Sequence, residues 1–178
     1  MTVRGFMNPA GFVLMLILAA AEPAAAEPGV EWQAMTGPWR GEGLLRQNPK
    51  AELQRGVCRV EVGLGESADS LVFAGRCANA TKSARFKTIL TQLDKSGRVQ
   101  AISQSRIYPG EVLLIGERTD RRLQMRSTEP IIIKGRTYHV HLHIDYRLGE
   151  DRFSMVQALK DIETGVSANV LEMAFRKK

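Results

Sequence analysis

The chain is poor in aromatic residues, has three histidines and two cysteines, and carries no apolar run long enough to cross a membrane. Each shortage narrows what the protein can be. Aromatics at 6% leave little to stack on nucleic-acid bases, so nucleic acid is not an expected partner for the net charge of +6. The longest apolar run, Gly11 to Ala21, is about eleven residues, against the roughly 20 that a spanning helix needs. There is no Gly-x-Ser-x-Gly elbow, phosphate-binding loop or dinucleotide fingerprint. Ser103 and Ser105 have nothing to mark them as nucleophiles, and Glu61 and Glu66 sit near a turn and read as solubility. An enzyme is therefore unsupported, and no cofactor is expected. Helical periodicity, internal repeats and low-complexity segments are also missing.

The start of the chain reads as an address. Arg4 supplies a positive n-region, Gly11 to Ala21 an apolar h-region, and Ala24-Ala25-Ala26 a small-residue cleavage site before Glu27. Residues 1–26 are thus expected to be a secretory signal peptide, leaving 27–178 as one domain with a substantial core. No cysteine lies near the cleavage site, so a lipoprotein anchor is not expected. The expected location is periplasmic or secreted. Removing the leader takes away one base, Arg4, and one acid, Glu22, so the positive charge stays with the mature chain. Arg118, Arg121, Arg122, Arg126, Lys134 and Arg136 form one dense basic region and Arg176-Lys177-Lys178 another. Such a surface suits contact with anionic lipid, the cell envelope or acidic glycans, or is simply a solvated basic face.

Two cysteines in an exported chain imply one disulfide. If 63–70 connects a hairpin, Leu64 faces Leu71, Val62 faces Phe73, Val60 faces Gly75, and Cys58 faces Cys77. One register therefore satisfies four pairs on one apolar face, the last being the cysteine pair. A structural Cys58–Cys77 bridge is expected.

The clearest strand is Thr137 to Leu148. Alternation puts Tyr138, Val140, Leu142, Ile144 and Tyr146 on one face and His139, His141, His143 and Asp145 on the other. His141 and His143, about 6 to 7 Å apart, form the one candidate metal pair. A third ligand is not supplied: the outer two histidines are about 13 Å apart on a straight strand. The strand beyond Gly149 places Tyr146 opposite Phe153, Ile144 opposite Met155 and Val140 opposite Leu159, with a two-residue type II′ turn at Gly149-Glu150. Around it, further strands are expected at Trp39 to Arg46, Glu52 to Val62, Ser70 to Asn79, Ser83 to Leu93, Arg98 to Ile107, Glu111 to Arg118, Arg121 to Ser127, Ile131 to Ile133 and Ser167 to Arg176. Gly41 and Gly43 share Trp39's face, which leaves room for a close neighbour or a bend. Tyr108-Pro109-Gly110 has the residues of a type II turn. About ten antiparallel strands in meander order would leave two open edges, and closing into an up-and-down β-barrel removes them. The fold class is all-β.

Gly37-Pro38-Trp39, opening the first strand of such a barrel, resembles the Gly-x-Trp signature of the lipocalins, within the calycin group. The resemblance implies a barrel closed at one end by Trp39, with a late basic residue, Arg176, packed over it. It also implies an interior that holds a small apolar ligand. The chain departs from the family in having no C-terminal helix and no Thr-Asp-Tyr motif. It also lacks the helical pair of the related fatty-acid-binding branch.

The reading is an exported, non-catalytic binding protein for a small apolar or amphipathic ligand, anionic and lipid-like if a basic rim meets its head. Trp39, Phe73, Phe86, Leu142, Tyr146, Phe153, Met155 and Met173 are the candidate apolar contacts, and Arg122 and Arg126 the candidate rim. The alternative is a filled barrel that binds an exported partner protein, as inhibitor-type barrels do. A third reading is metal binding through the histidine strand.

Overall fold

A computed structural model describes residues 34–178, apart from Ile107, Pro109 and the side chain of Leu148. The expected leader lies outside these residues. The strands are β1 (Gly37–Leu45), β2 (Gln54–Leu64), β3 (Ser70–Asn79), β4 (Ser83–Gln92), β5 (Arg98–Ser105) and β6 (Glu111–Arg118). They continue as β7 (Arg122–Ser127), β8 (Ile131–Ile133), β9 (Arg136–Arg147), β10 (Arg152–Asp161) and β11 (Ser167–Lys177). Apart from β7 and β8, which each pair with β9, neighbours in sequence pair antiparallel, and β1 pairs with both β2 and β11. The pairing of β9 with β10 then closes a ten-stranded up-and-down barrel. The three-residue β8 stands outside that cycle and pairs with the start of β9.

Closure satisfies the backbone of what would otherwise be two sheet edges. Inside, the alternation of each strand delivers its apolar set. Tyr138, Val140, Ile144 and Tyr146 of β9 are buried while His141 and Asp145 are exposed. Both registers inferred from apolar matching are present: Cys58 opposite Cys77 with Val62 opposite Phe73, and Tyr146 opposite Phe153 with Ile144 opposite Met155. The cysteines form the disulfide. Thiol alkylation without reduction should therefore label neither cysteine. Replacing both by alanine should cost about 3 kcal/mol, the loop-closure value for a loop of this size.

Because every strand reverses direction, loops alternate between two ends. Residues 65–69, 93–97, 119–121 and 148–151 gather at the end where β1 begins, and 46–53, 80–82, 106–110, 128–135 and 162–166 at the other. The first end is packed shut. Trp39, 2% exposed, meets the Phe153 ring edge-on at 4.9 Å, and Phe153 stacks on Phe175 at 4.4 Å. The indole N–H donates to Met35 O at 2.8 Å, so the buried Trp39 leaves no polar atom unmet. On the same end Asp94 organises the β4–β5 turn: hydrogen bonds from Ser96, then Arg98, hold its carboxyl down to about 2.

Strand ends fall within a residue or two of those expected from the sequence, and three details differ. The basic residue over Trp39 is Lys177, whose Nζ lies 5.7 Å from the ring and donates to Ala34 O. Arg176 is opposite Arg40 and exposed, because strand parity turns it outward. The β9–β10 connection is a four-residue loop, since Arg147 and Arg152 still pair. It holds a single 3-10 turn, Leu148–Glu150, and its left-handed residue is Asp151 at φ 46, not Gly149. Glu150 explains the longer loop by bridging Arg147 and Arg152. Pro109 lies outside the described residues, but Gly110 has φ +79, as the third position of a type II turn requires.

Candidate functional site

The barrel holds a cavity of about 480 Å³. None of its lining residues comes from the loops at the Trp39 end, whereas the loops at the opposite end contribute Arg46, Gln47, Asn48, Lys82, Arg106, Tyr108, Ile132 and Lys134. It is therefore a cup, with its floor over the Trp39–Phe153–Phe175 cluster. Phe175 belongs to both, stacked below and lining above.

The cup's inner surface follows from inward parity along the strands. Phe73, Leu90, Leu114, Met125, Ile144 and Met155 make an apolar lower wall. Higher up, a short polar ladder crosses it: Thr88 Oγ1 is 3.0 Å from Ser103 Oγ, which is 3.3 Å from the Tyr108 hydroxyl. Gln157 adds an amide. At the mouth stand four cationic side chains, Arg46, Lys82, Arg106 and Lys134. Among the described residues that line the cavity there is no aspartate or glutamate. Arg46 is anchored on Asn169 O and Ala51 O, and Lys82 on Gln47 Oε1 at 2.9 Å. Lys134 occupies a left-handed position, φ 50, followed by Gly135 at φ 78, so the β8–β9 hairpin turns on a type I′ pair.

Of the apolar contacts expected from sequence, Phe73, Phe86, Leu142 and Met155 line the cup. Trp39, Tyr146, Phe153 and Met173 do not: all four are buried, Trp39 and Phe153 in the floor, with the Tyr146 hydroxyl donating to Thr119 O at the same end, and Met173 on β11 beside Met155. Arg122 and Arg126 are not at the mouth. They project from the outside of β7, flanking the inward Leu123 and Met125, and Arg122 Nε pairs with Asp145 Oδ1 at 3.0 Å. Strand parity does not find the mouth cations, because they lie in or beside loops, where it gives no direction.

Compared with models of known protein families, the chain matches none, and no curated protein matches it in sequence.

The histidines are on the outer wall. His143 is already engaged at both nitrogens, Nε2 with Asp145 Oδ2 at 3.1 Å and Nδ1 with Gln124 at 3.2 Å, and His139 Nδ1 meets Ser127 Oγ at 3.1 Å. Among the described residues, no three His, Cys, Asp or Glu side chains are grouped to hold an ion. Asp145 loses water on folding, which opposes ionisation, but the Arg122 hydrogen bond and the His143 charge hold its carboxyl below the usual range. His141 is lowered, first by desolvation of its ring, then by the charges of Lys160, His139 and Arg126. The native protein thus binds that proton less tightly than the unfolded chain does. Stability on this account is full above the ordinary histidine value and is lost as the pH falls below it. By NMR the His141 ring should titrate below 6.5, and Lys160→Gln should raise its midpoint; a midpoint above 6.5 would contradict the wall geometry.

Proposed function

We propose that the protein is an exported, non-catalytic carrier of a small amphiphile with an anionic head. One observation carries the reading: an apolar cup of about 480 Å³ under a mouth with four cations and no carboxylate. The cavity has the size of pockets that take small ligands. An alkyl body would be driven into the cup by burial at about 25 cal/mol per Å². The head would remain among Arg46, Lys82, Arg106 and Lys134, where charge-assisted hydrogen bonds replace its hydration. An apolar interior with a seven-strand line of charge on the outer wall is the reverse of a lipid-facing barrel and supports a protein that does not span a membrane.

Native mass spectrometry of the protein purified from its own host's periplasm tests this. A lipid-sized adduct that is lost on gentle organic extraction is expected. A bare mass together with failure to take up an anionic amphiphile in vitro would defeat the carrier reading. The filled-barrel, partner-binding reading has one observation in its favour. Val72, Ile89, Ile102 and Leu113 form a direct cross-strand row on the outer wall of β3 to β6, and Leu113 and the nearby Ile115 are 39% and 41% exposed. That surface is where a partner would be sought if the cup proved empty.

A further inference from the structure

A second cross-strand row on the outer wall is chemically uniform. Arg147 lies opposite Arg152, Arg152 opposite Arg176, Arg176 opposite Arg40, and Arg40 opposite Arg59. Arg59 in turn lies opposite Arg76, and Arg76 opposite Arg85. Seven arginines thus form an unbroken line over β9, β10, β11, β1, β2, β3 and β4. Arg106, whose backbone N–H donates to Arg85 O, continues it to the mouth. All eight are exposed.

Folding alone does not favour such a row, because like charges directly opposite one another on a sheet are destabilising. Acids relieve only part of it. Glu42 meets Arg40 at 3.0 Å, and Glu150 serves Arg147 and Arg152. Arg59, Arg85 and Arg176 form no salt bridge among the described residues. Of the rows on either side, one is mostly short, with Ser154, Ala174, Val57 and Ala78 and acids at Asp145 and Glu42, and the other is mixed, with Pro38, Glu61, Ala74 and Lys87. The arginines therefore form a continuous track of one sign of charge, which neither flank does.

We propose that this belt binds a flexible linear polyanion of the acidic-polysaccharide class, carrying one carboxylate or sulfate per sugar unit. Adjacent strands are about 4.8 Å apart, so the seven arginines present a charge at each such step over a path of about 29 Å. The planar fork of arginine suits carboxylate and sulfate oxygens, which it takes two at a time. Curvature selects among polyanions. The belt follows seven of the barrel's ten strands, so a flat bilayer meets one side of it, and a DNA duplex, with a persistence length of about 50 nm, does not bend around it. A flexible chain can follow it. The inference is independent of what the cup holds.

Titration of the purified protein with polygalacturonate oligomers of defined length, at low salt, tests the track. Affinity should rise with length until the oligomer spans the belt, and then level off. The triple variant Arg59→Ser, Arg76→Ser, Arg85→Ser should bind about tenfold more weakly, since it removes three exposed ion pairs of modest strength. The variant Lys50→Ser, Lys95→Ser, Arg121→Ser removes the same charge off the belt and should change affinity by less than about twofold. Equal losses in both variants would reduce the binding to net charge and overturn the track. Tighter binding of phosphatidylglycerol vesicles or of a DNA duplex through the same three arginines would overturn the polysaccharide assignment. The belt variant should also melt no lower than the parent; a clear fall would refute the claim that the row is held at a cost to stability.

Discussion

Gly41→Val is expected to lower the stability of the protein by about 3 kcal/mol, the upper part of the range for overpacking a filled core. A Cβ at Gly41 would sit 2.5 Å from Cε1 of Phe175, 2.7 Å from Cδ1 and 2.8 Å from Cζ. The ring is 2% exposed and stacks on Phe153, which in turn abuts Trp39, so it can yield only toward the cup and at the cost of that stack. Displacing Phe175 therefore disturbs the whole floor of the barrel. Gly63→Ala is the matched control, since a Cβ there meets nothing within 4 Å, and its urea midpoint should be nearly that of the parent. If the clash is the cause, Phe175→Leu should recover part of the stability when combined with Gly41→Val. The coupling would then exceed the few tenths of a kcal/mol expected of independent sites. A Gly41→Val midpoint equal to the parent's would mean that the floor is looser than its packing indicates.

The same glycine shows how much of the architecture is legible in a sequence, and where legibility ends. Gly41 and Gly43 on Trp39's face leave room for a close neighbour or a bend, but strand alternation alone does not say that a neighbour is present or that it is Phe175, from the far end of the chain. Register is readable between strands joined by a short turn, because a one-residue slip would turn every apolar side chain outward. This is why Cys58 can be matched to Cys77 and Tyr146 to Phe153. The closing pairs, such as Gly41 opposite Phe175, join segments with no turn between them. Parity likewise separates inside from outside but does not separate floor from cup. Trp39 and Phe153 are as inward as Phe73 and Met155, and only their height in the barrel differs. A signal for height is present: in a meander, successive loops alternate ends, so 46–53, 80–82, 106–110 and 128–135 must share one rim. Sorting the cations by loop in this way points to Arg46, Lys82, Arg106 and Lys134 in place of Arg122 and Arg126, whose strand positions face outward. The arginine belt is hidden for the related reason that its members are spread over seven strands, one to each.

Reversing two mouth charges, Lys82→Glu with Lys134→Glu, is expected to weaken binding of a long-chain fatty acid by about a hundredfold. That corresponds to about 2 to 3 kcal/mol for replacing one charge-assisted hydrogen bond with repulsion. Binding of the corresponding fatty alcohol should change by less than about twofold, because the apolar cup is untouched and the alcohol has no charge to repel. The two substitutions are suited to this comparison. Both side chains are exposed at the mouth, and the hydrogen bond that Lys82 makes, to Gln47, is also on the surface. Neither belongs to the arginine belt, so the result bears on the cup alone. Equal weakening for acid and alcohol would point to a damaged cavity and not to a headgroup site. Unchanged binding of both would place the anionic head elsewhere, with the polar ladder of Thr88, Ser103 and Tyr108 as the next group inside the cup able to receive it. Measured against the parent, acid and alcohol thus separate the two parts of the proposed site: alkyl burial below, charge recognition above.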